Sequence, residues 1–262
     1  MNAEPQRITS RDNPLLARLR KLAQDNGSYR RAGQVWLEGE HLCSAFVLRG
    51  GVPVQALVVD EAWERSAELR ALAARASRVV LSPTALFKGI SGLESPAPIG
   101  FLMDLPEAPP MQPDASTVVL DRLQDAGNVG SVLRSAAAFG VQQVLALKGT
   151  AGLWSPKVLR AGMGAHFALR LIEGLEPDEL SALTAPLVAT SSHGGVMLPQ
   201  AKLPSPCAWV MGHEGQGVST GLLDRCALKV CIPQPGGEES LNVAAAAAIC
   251  LYASSLASVS AG

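Results

Sequence analysis

The chain has 262 residues, 22 Lys and Arg against 23 Asp and Glu, and a formal net charge of −1. Hydrophobic residues make up 48% and charged ones 17%, against about 25% charged in an average soluble chain. This excludes disordered, collagen-like and coiled-coil architectures and requires much buried apolar surface, some of it in a subunit interface.

The opening MNAEPQRITSRDN has no apolar core of a signal peptide. The longest apolar stretch, Val243 to Ala253, is far short of the roughly 20 residues that span a bilayer. Five cysteines form an odd set without a C-x-x-C pair. No disulfide framework, metal site or membrane association is expected, and a reducing cytoplasm fits.

Asn13 to Ala23 places Leu15, Leu16, Leu19 and Leu22 at helical spacing. Gln34–Glu38 reads as a strand, Gly39–Leu48 as a helix, and Val54–Val59 and Arg78–Leu81 as strands around a helix at Ala62–Ala76. These elements make a small α/β domain at 1–103. Residues 1–35 hold seven basic residues (Arg7, Arg11, Arg18, Arg20, Lys21, Arg30 and Arg31) and three acidic ones. That excess fits either a solvated face or a patch that tracks nucleic-acid phosphates. Leu102 to Ser116 carries four of the 18 prolines and reads as a semi-rigid linker, placed at 104–116.

From 117 to 262 strand and helix alternate. Strands are predicted at Thr117–Asp121, Val144–Leu147, Ala168–Leu171, Pro186–Ala189, Cys207–Met211 and Lys229–Ile232. Helices are predicted at Gly130–Phe139, Ser155–Gly162 and Leu241–Ala257. Such alternation predicts a parallel sheet with helices on both faces, its ligand loops at the carboxyl ends of the strands.

Chemistry-bearing residues gather at three junctions. In Val118–Gly140, Asn128 is a candidate helix cap, Gly140 a left-handed helix end, and Arg134 lies off the buried stripe. In Trp209–Ser219 a hydrophobic strand runs into Gly212, His213, Glu214, Gly215 and Gly217. In Val230–Tyr252 a Pro/Gly loop leads into a helix starting near Ser240 to Asn242. Its backbone groups can read an adenine edge or an anion. The signatures of dinucleotide-binding, P-loop, α/β-hydrolase and zinc-protease sites are all missing.

Those stretches resemble the SpoU/TrmH family of RNA ribose 2′-O-methyltransferases, within the SPOUT superfamily. Its three motifs stand in order: N-x-G-x-x-x-R at Asn128 to Arg134, G-x-E-G-x-G at Gly212 to Gly217, and I-P…S-L-N-V at Ile232 to Val243. SPKVLRAGMGA, Ser155 to Ala165, is similar to the segment between the motifs. ITSRDNPLLARLRKLA and VWLEGEHL resemble the L30e-like RNA-binding domain of many members. Ala126 and His213 depart from the proline and asparagine common at those positions.

The resemblance implies an α/β fold with a C-terminal trefoil knot, a homodimer, S-adenosylmethionine as methyl donor, and ribosomal or transfer RNA as substrate. It implies a catalytic surface of Arg134, Asn128, Glu214, Ser240 and Asn242. It also implies donor contacts at Thr190, Gly212, Gly217, Ile232 and Leu241, and RNA contacts through the seven N-terminal basic residues. The alternatives are methylation of a base nitrogen by a SPOUT enzyme and an RNA-binding module without catalysis.

Overall fold

A computed structural model of the chain describes residues 4–91, 93, 95–191, 194–236 and 241–259. In chain order the elements are β1 (Gln6–Arg7), α1 (Pro14–Gln24), α2 (Ser28–Ala32), β2 (Gln34–Glu38), α3 (Glu40–Leu48), β3 (Gln55–Val59), α4 (Asp60–Arg65), α5 (Ala67–Ala73), β4 (Val79–Ser82), α6 (Thr84–Lys88) and β5 (Ile99–Asp104). There follow β6 (Thr117–Asp121), α7 (Ala126–Ala138), β7 (Gln143–Leu147), α8 (Pro156–Gly162), β8 (Arg170–Leu175), β9 (Leu187–Thr190), β10 (Val196–Met197), β11 (Ala208–Gly212), α9 (Thr220–Leu223), β12 (Leu228–Cys231) and α10 (Val243–Val259). No helix among the described residues is long and apolar enough to cross a membrane.

The chain divides into two compact units, Met1–Glu107 with Trp154–Phe167, and Ala108–Leu153 with Ala168–Gly262. The first holds a five-stranded sheet in the order β1-β4-β3-β5-β2, in which β5 runs antiparallel to both neighbours. Asn13 caps α1 by accepting the Leu15 N–H at 2.9 Å, and the helix buries Leu16, Leu19, Leu22 and Ala23. The single helix predicted at Ala62–Ala76 is two, because Ser66 adopts an extended conformation and its hydroxyl caps the second by accepting the Leu69 N–H. The first unit also takes in α8, which lies far along the chain. His41 Nε2 lies 3.1 Å from the Met163 carbonyl, and Phe46 packs against Phe167.

The second unit is built on a seven-stranded sheet in the order β10-β12-β9-β11-β6-β7-β8. All its pairings are parallel, as the alternation predicted. β6, β7 and β11 are buried at every position, the pattern of a parallel sheet covered on both sides. The end of the proline-rich stretch is stitched in. Gln143, fully buried, accepts the Gln112 N–H at 3.0 Å and donates to the Gln112 carbonyl and the Thr117 hydroxyl.

Candidate active site

The strand order decides what can meet. β12, β9, β11 and β6 are neighbours, and their registers pair Val230 with Thr190, Val210 with Ala189, and Gly212 with Asp121. Thr190, Gly212, Asp121 and the residues just after Cys231 therefore stand side by side at the carboxyl ends of the strands, where open α/β sheets hold ligands. Thr190 and Ile232 are half-buried there, while Leu241 is exposed just before α10.

The first junction turns directly into α7. Asp125, not Asn128, caps the helix: its Oδ1 accepts the Asn128 N–H at 2.7 Å. The helix starts four residues earlier than predicted because the cap lies upstream, which frees the Asn128 side chain for another role. At the far end Gly140 adopts φ +77° and the Val141 N–H bonds back to the Ala136 carbonyl at 3.0 Å, a glycine-ended helix terminus.

The second junction is a tight loop closed on itself. His213 and Gly217 exchange backbone hydrogen bonds of 3.0 and 2.8 Å. His213 Nδ1 accepts the N–H groups of Gly215 and Gln216 at 3.0 and 3.3 Å, so its ring shapes the loop. Gly217 has φ +67°. A Cβ on Gly212 would lie 2.1 Å from the Val218 nitrogen, so only glycine fits there.

Glu214 joins this loop to the first junction. Its carboxylate accepts the N–H groups of Gln124 and Asp125 at 3.2 and 3.0 Å and the Asn128 side-chain amide at 3.2 Å. Burial pushes its pKa up, but its own N–H, that of Asp125, the Asn128 amide and the Gln124 N–H outweigh this and hold it below the ordinary 4.5. Asn128 Oδ1 in turn accepts the Asn242 side-chain amide at 2.9 Å. Asn242 Oδ1 accepts the N–H groups of Ala244 and Ala245 at 2.9 and 3.3 Å, capping α10. The first motif is thus joined side chain to side chain to two others that lie 86 and 114 residues further along the chain. Ser240 lies outside the described residues.

Arg134 is not part of this chain. It is exposed and makes no hydrogen bond or ion pair among the described residues. It follows Asn128 by six positions on α7, which places it about 9 Å further along the axis and about 120° around it. The side-chain bonds of Asn128 and Glu214 among the described residues go to other groups and not to Arg134.

The N-terminal basic residues also divide. Arg7 pairs with Asp60 at 2.8 Å, Arg20 donates to the Gly89 carbonyl at 2.8 Å, and Arg31 pairs with Asp25 at 2.6 Å. Arg30 lies over the Tyr29 ring at 4.9 Å. Arg11, Arg18 and Lys21 are exposed, and their side chains make no hydrogen bond or ion pair among the described residues. No group of three His, Cys, Asp or Glu that could hold a metal occurs among the described residues. The five cysteines are free, with burial raising Cys207 to about 11 and Cys250 to about 12.

Residue-by-residue reading missed Asp121 and Arg122. The signal was a carboxylate ending the otherwise apolar strand TVVLD, since a charge is buried only where something pairs with it.

A wholly parallel sheet whose glycine loops follow its late strands, with three ordered motifs joined through Glu214, Asn128 and Asn242, defines an α/β domain of the SPOUT class. Residues 115–252 match the SpoU rRNA Methylase family. The chain is 32% identical over 219 residues to the 23S rRNA (guanosine(2553)-2'-O)-methyltransferase RlmP of Bacillus subtilis, covering 82% of this chain and 86% of that protein. A crystal structure of an RNA 2'-O ribose methyltransferase matches with TM-score 0.81 and 31% identity over 97% of this chain and 100% of that one. The SpoU methyltransferase AviRb of Streptomyces viridochromogenes, solved in complex with AdoMet, matches with TM-score 0.85 and 25% identity over 95% and 99%. The chain belongs to the SpoU rRNA methylase family.

Proposed function

We propose that this protein transfers a methyl group from S-adenosylmethionine to a ribose 2′-hydroxyl of structured RNA, ribosomal rather than transfer RNA. The observation that carries it is the Glu214–Asn128–Asn242 chain, which draws the three family motifs to the ends of β6, β9, β11 and β12. The residues fit the donor. Half-buried Ile232 and exposed Leu241 offer apolar surface for an adenine face. The carboxyl ends of β11 at Gly212 and of β9 at Thr190 offer polar groups for its edge and its methionine end, while Gly217, whose N–H and carbonyl both bond His213, shapes the loop between them. The donor, when bound, supplies a methyl group already activated by its sulfonium.

The remaining work falls to the chain. Arg134, exposed and without a hydrogen bond or ion pair among the described residues, is placed to grip the phosphate beside the target ribose and to stabilise the developing alkoxide. A guanidinium at its ordinary pKa is a poor base, so the electrostatic role is preferred. Asn128, Glu214 and Asn242 set the shape of the surface, and Ser240 belongs to the catalytic set that the resemblance implies. Arg11, Arg18 and Lys21, whose side chains make no hydrogen bond or ion pair among the described residues, are the N-terminal residues offered to RNA phosphates, and Arg7, Arg20, Arg30 and Arg31 contribute more to their own fold.

The active species is a homodimer in the cytoplasm, with the trefoil threading implied by the resemblance. Ala245, Ile249, Tyr252 and Leu256 form an exposed stripe on α10, opposite the face that buries Ala247, Cys250 and Leu251. A helix apolar on both faces is covered on both, and a second copy of the chain fits the low charge content.

Incubation with radiolabelled S-adenosylmethionine and ribosomal RNA should give label that maps to a nuclease-resistant 2′-O-methylated nucleotide. Arg134→Ala should lower turnover by about a hundredfold or more while donor affinity holds. Label on a base nitrogen, or full turnover by Arg134→Ala, overturns the assignment.

A further inference from the structure

We infer that Asp121 and Arg122 form a clamp that holds the second glycine loop in its donor-receiving shape. They act as positioning residues, without touching the reacting atoms. The inference rests on the functional reading above and assigns a role to two residues outside the three motifs.

Asp121 ends β6 opposite Gly212, the last residue of β11. Its side chain is 2% exposed, and each oxygen is spoken for: Oδ2 accepts the Ser219 N–H at 2.7 Å and Oδ1 accepts Arg122 Nε at 2.9 Å. Arg122 Nη1 reaches across to Gln216 Oε1 at 3.2 Å. One ion pair thus grips the second loop at two points, Gln216 inside it and Ser219 just beyond it.

The backbone is bent to make this possible. Arg122 has φ +61°, a left-handed conformation that a branched or long side chain adopts only where its surroundings impose it. Its N–H donates to the Thr150 hydroxyl at 3.1 Å, which donates to the Leu120 carbonyl at 3.0 Å. An ion pair whose carboxylate is buried is weak evidence for stability but is well suited to fixing a single geometry. Here the geometry fixed is that of the loop from Gly212 to Ser219.

The test uses the isosteric Asp121→Asn. Two N–H donors face the carboxylate, and an asparagine offers one oxygen to them and turns its NH2 on the other. The Ser219 amide should lose protection from hydrogen exchange. Kd by calorimetry and KM for S-adenosylmethionine should rise at least about tenfold, with kcat at saturating donor within about twofold and RNA affinity unchanged. Arg122→Lys, which keeps the charge but not the fork that reaches Asp121 and Gln216, should likewise raise KM for S-adenosylmethionine above the wild-type value. A folded Asp121→Asn protein with wild-type donor KM, or one that loses kcat alone, overturns the clamp. If Asp121→Asn does not fold, the solvent-facing Gln216→Ala carries the test with a rise in donor KM of about threefold, and no rise overturns it. A wild-type protein that binds no S-adenosylmethionine sinks the methyl-donor reading instead. Ser219 exchange then decides the clamp alone, unchanged protection in Asp121→Asn overturning it.

Discussion

Glu214 turns its carboxylate to three N–H donors, and its lowered pKa makes that linkage pH-dependent. A group whose folded pKa lies below its unfolded value adds stability in full above the unfolded value, near 4.5. It loses that stability as pH falls through the folded one. Glu214→Gln should therefore have a lower Tm than the wild type at neutral pH, and the gap should close as acidification protonates the wild-type carboxyl. A gap independent of pH would show that the charge does not matter. The bonds beyond Glu214 have a direction: a carboxylate only accepts and a helix N-terminus only donates, so both asparagine amides are held in one orientation. The sequence offered Glu214, Asn128 and Asn242 as types in motifs. It could not offer their order in the chain of bonds, because that depends on which side chain faces which across loops about a hundred residues apart.

Caps and glycines govern the elements. Asp125 satisfies the free N–H of Asn128 at the start of α7, and Asp125→Ala should cost about 1 kcal/mol in denaturant unfolding. An unchanged midpoint would remove the cap from the account. Gly212 is stricter. Because a Cβ would fall 2.2 Å from the Gly217 carbonyl carbon, Gly212→Ala must displace the loop. We expect a loss of about 1–3 kcal/mol together with a marked fall in donor affinity; calorimetry on the folded variant reads both. Elements with strong periodicity were legible: α1, β2, α3 and six strands of the parallel sheet fall within a few residues of their predicted limits, while the two-residue β10 was not predicted. β5, Ile99–Asp104, was not, since its end runs into the proline-rich stretch and took on the character of its neighbours. Its antiparallel place between β3 and β2 is a property of the sheet. The break at Ser66 was hidden too, because the residues on either side keep one helical pattern.

For the whole molecule, the proposed homodimer places the exposed stripe of Ile249, Tyr252 and Leu256 on α10 in its interface. Ile249→Asp with Leu256→Asp should convert a dimer to a monomer in light scattering, since burying two carboxylates in an apolar contact is costly. A mass unchanged from the wild type would refute this interface. The buried face of the same helix, where Ser254 accepts the Trp209 indole N–H at 2.8 Å, is left intact by both changes. The amino-acid sequence by itself determined the fold class, the family and the order of the three motifs, because alternation and motif spacing are local properties of the chain. Tertiary structure alone decided that α8 belongs to the first unit, that Arg7, Arg20 and Arg31 hold partners within their own fold, and that Asp121 and Arg122 reach the second loop. Each of these depends on contacts between distant positions, set by strand order and by which buried charge found a partner.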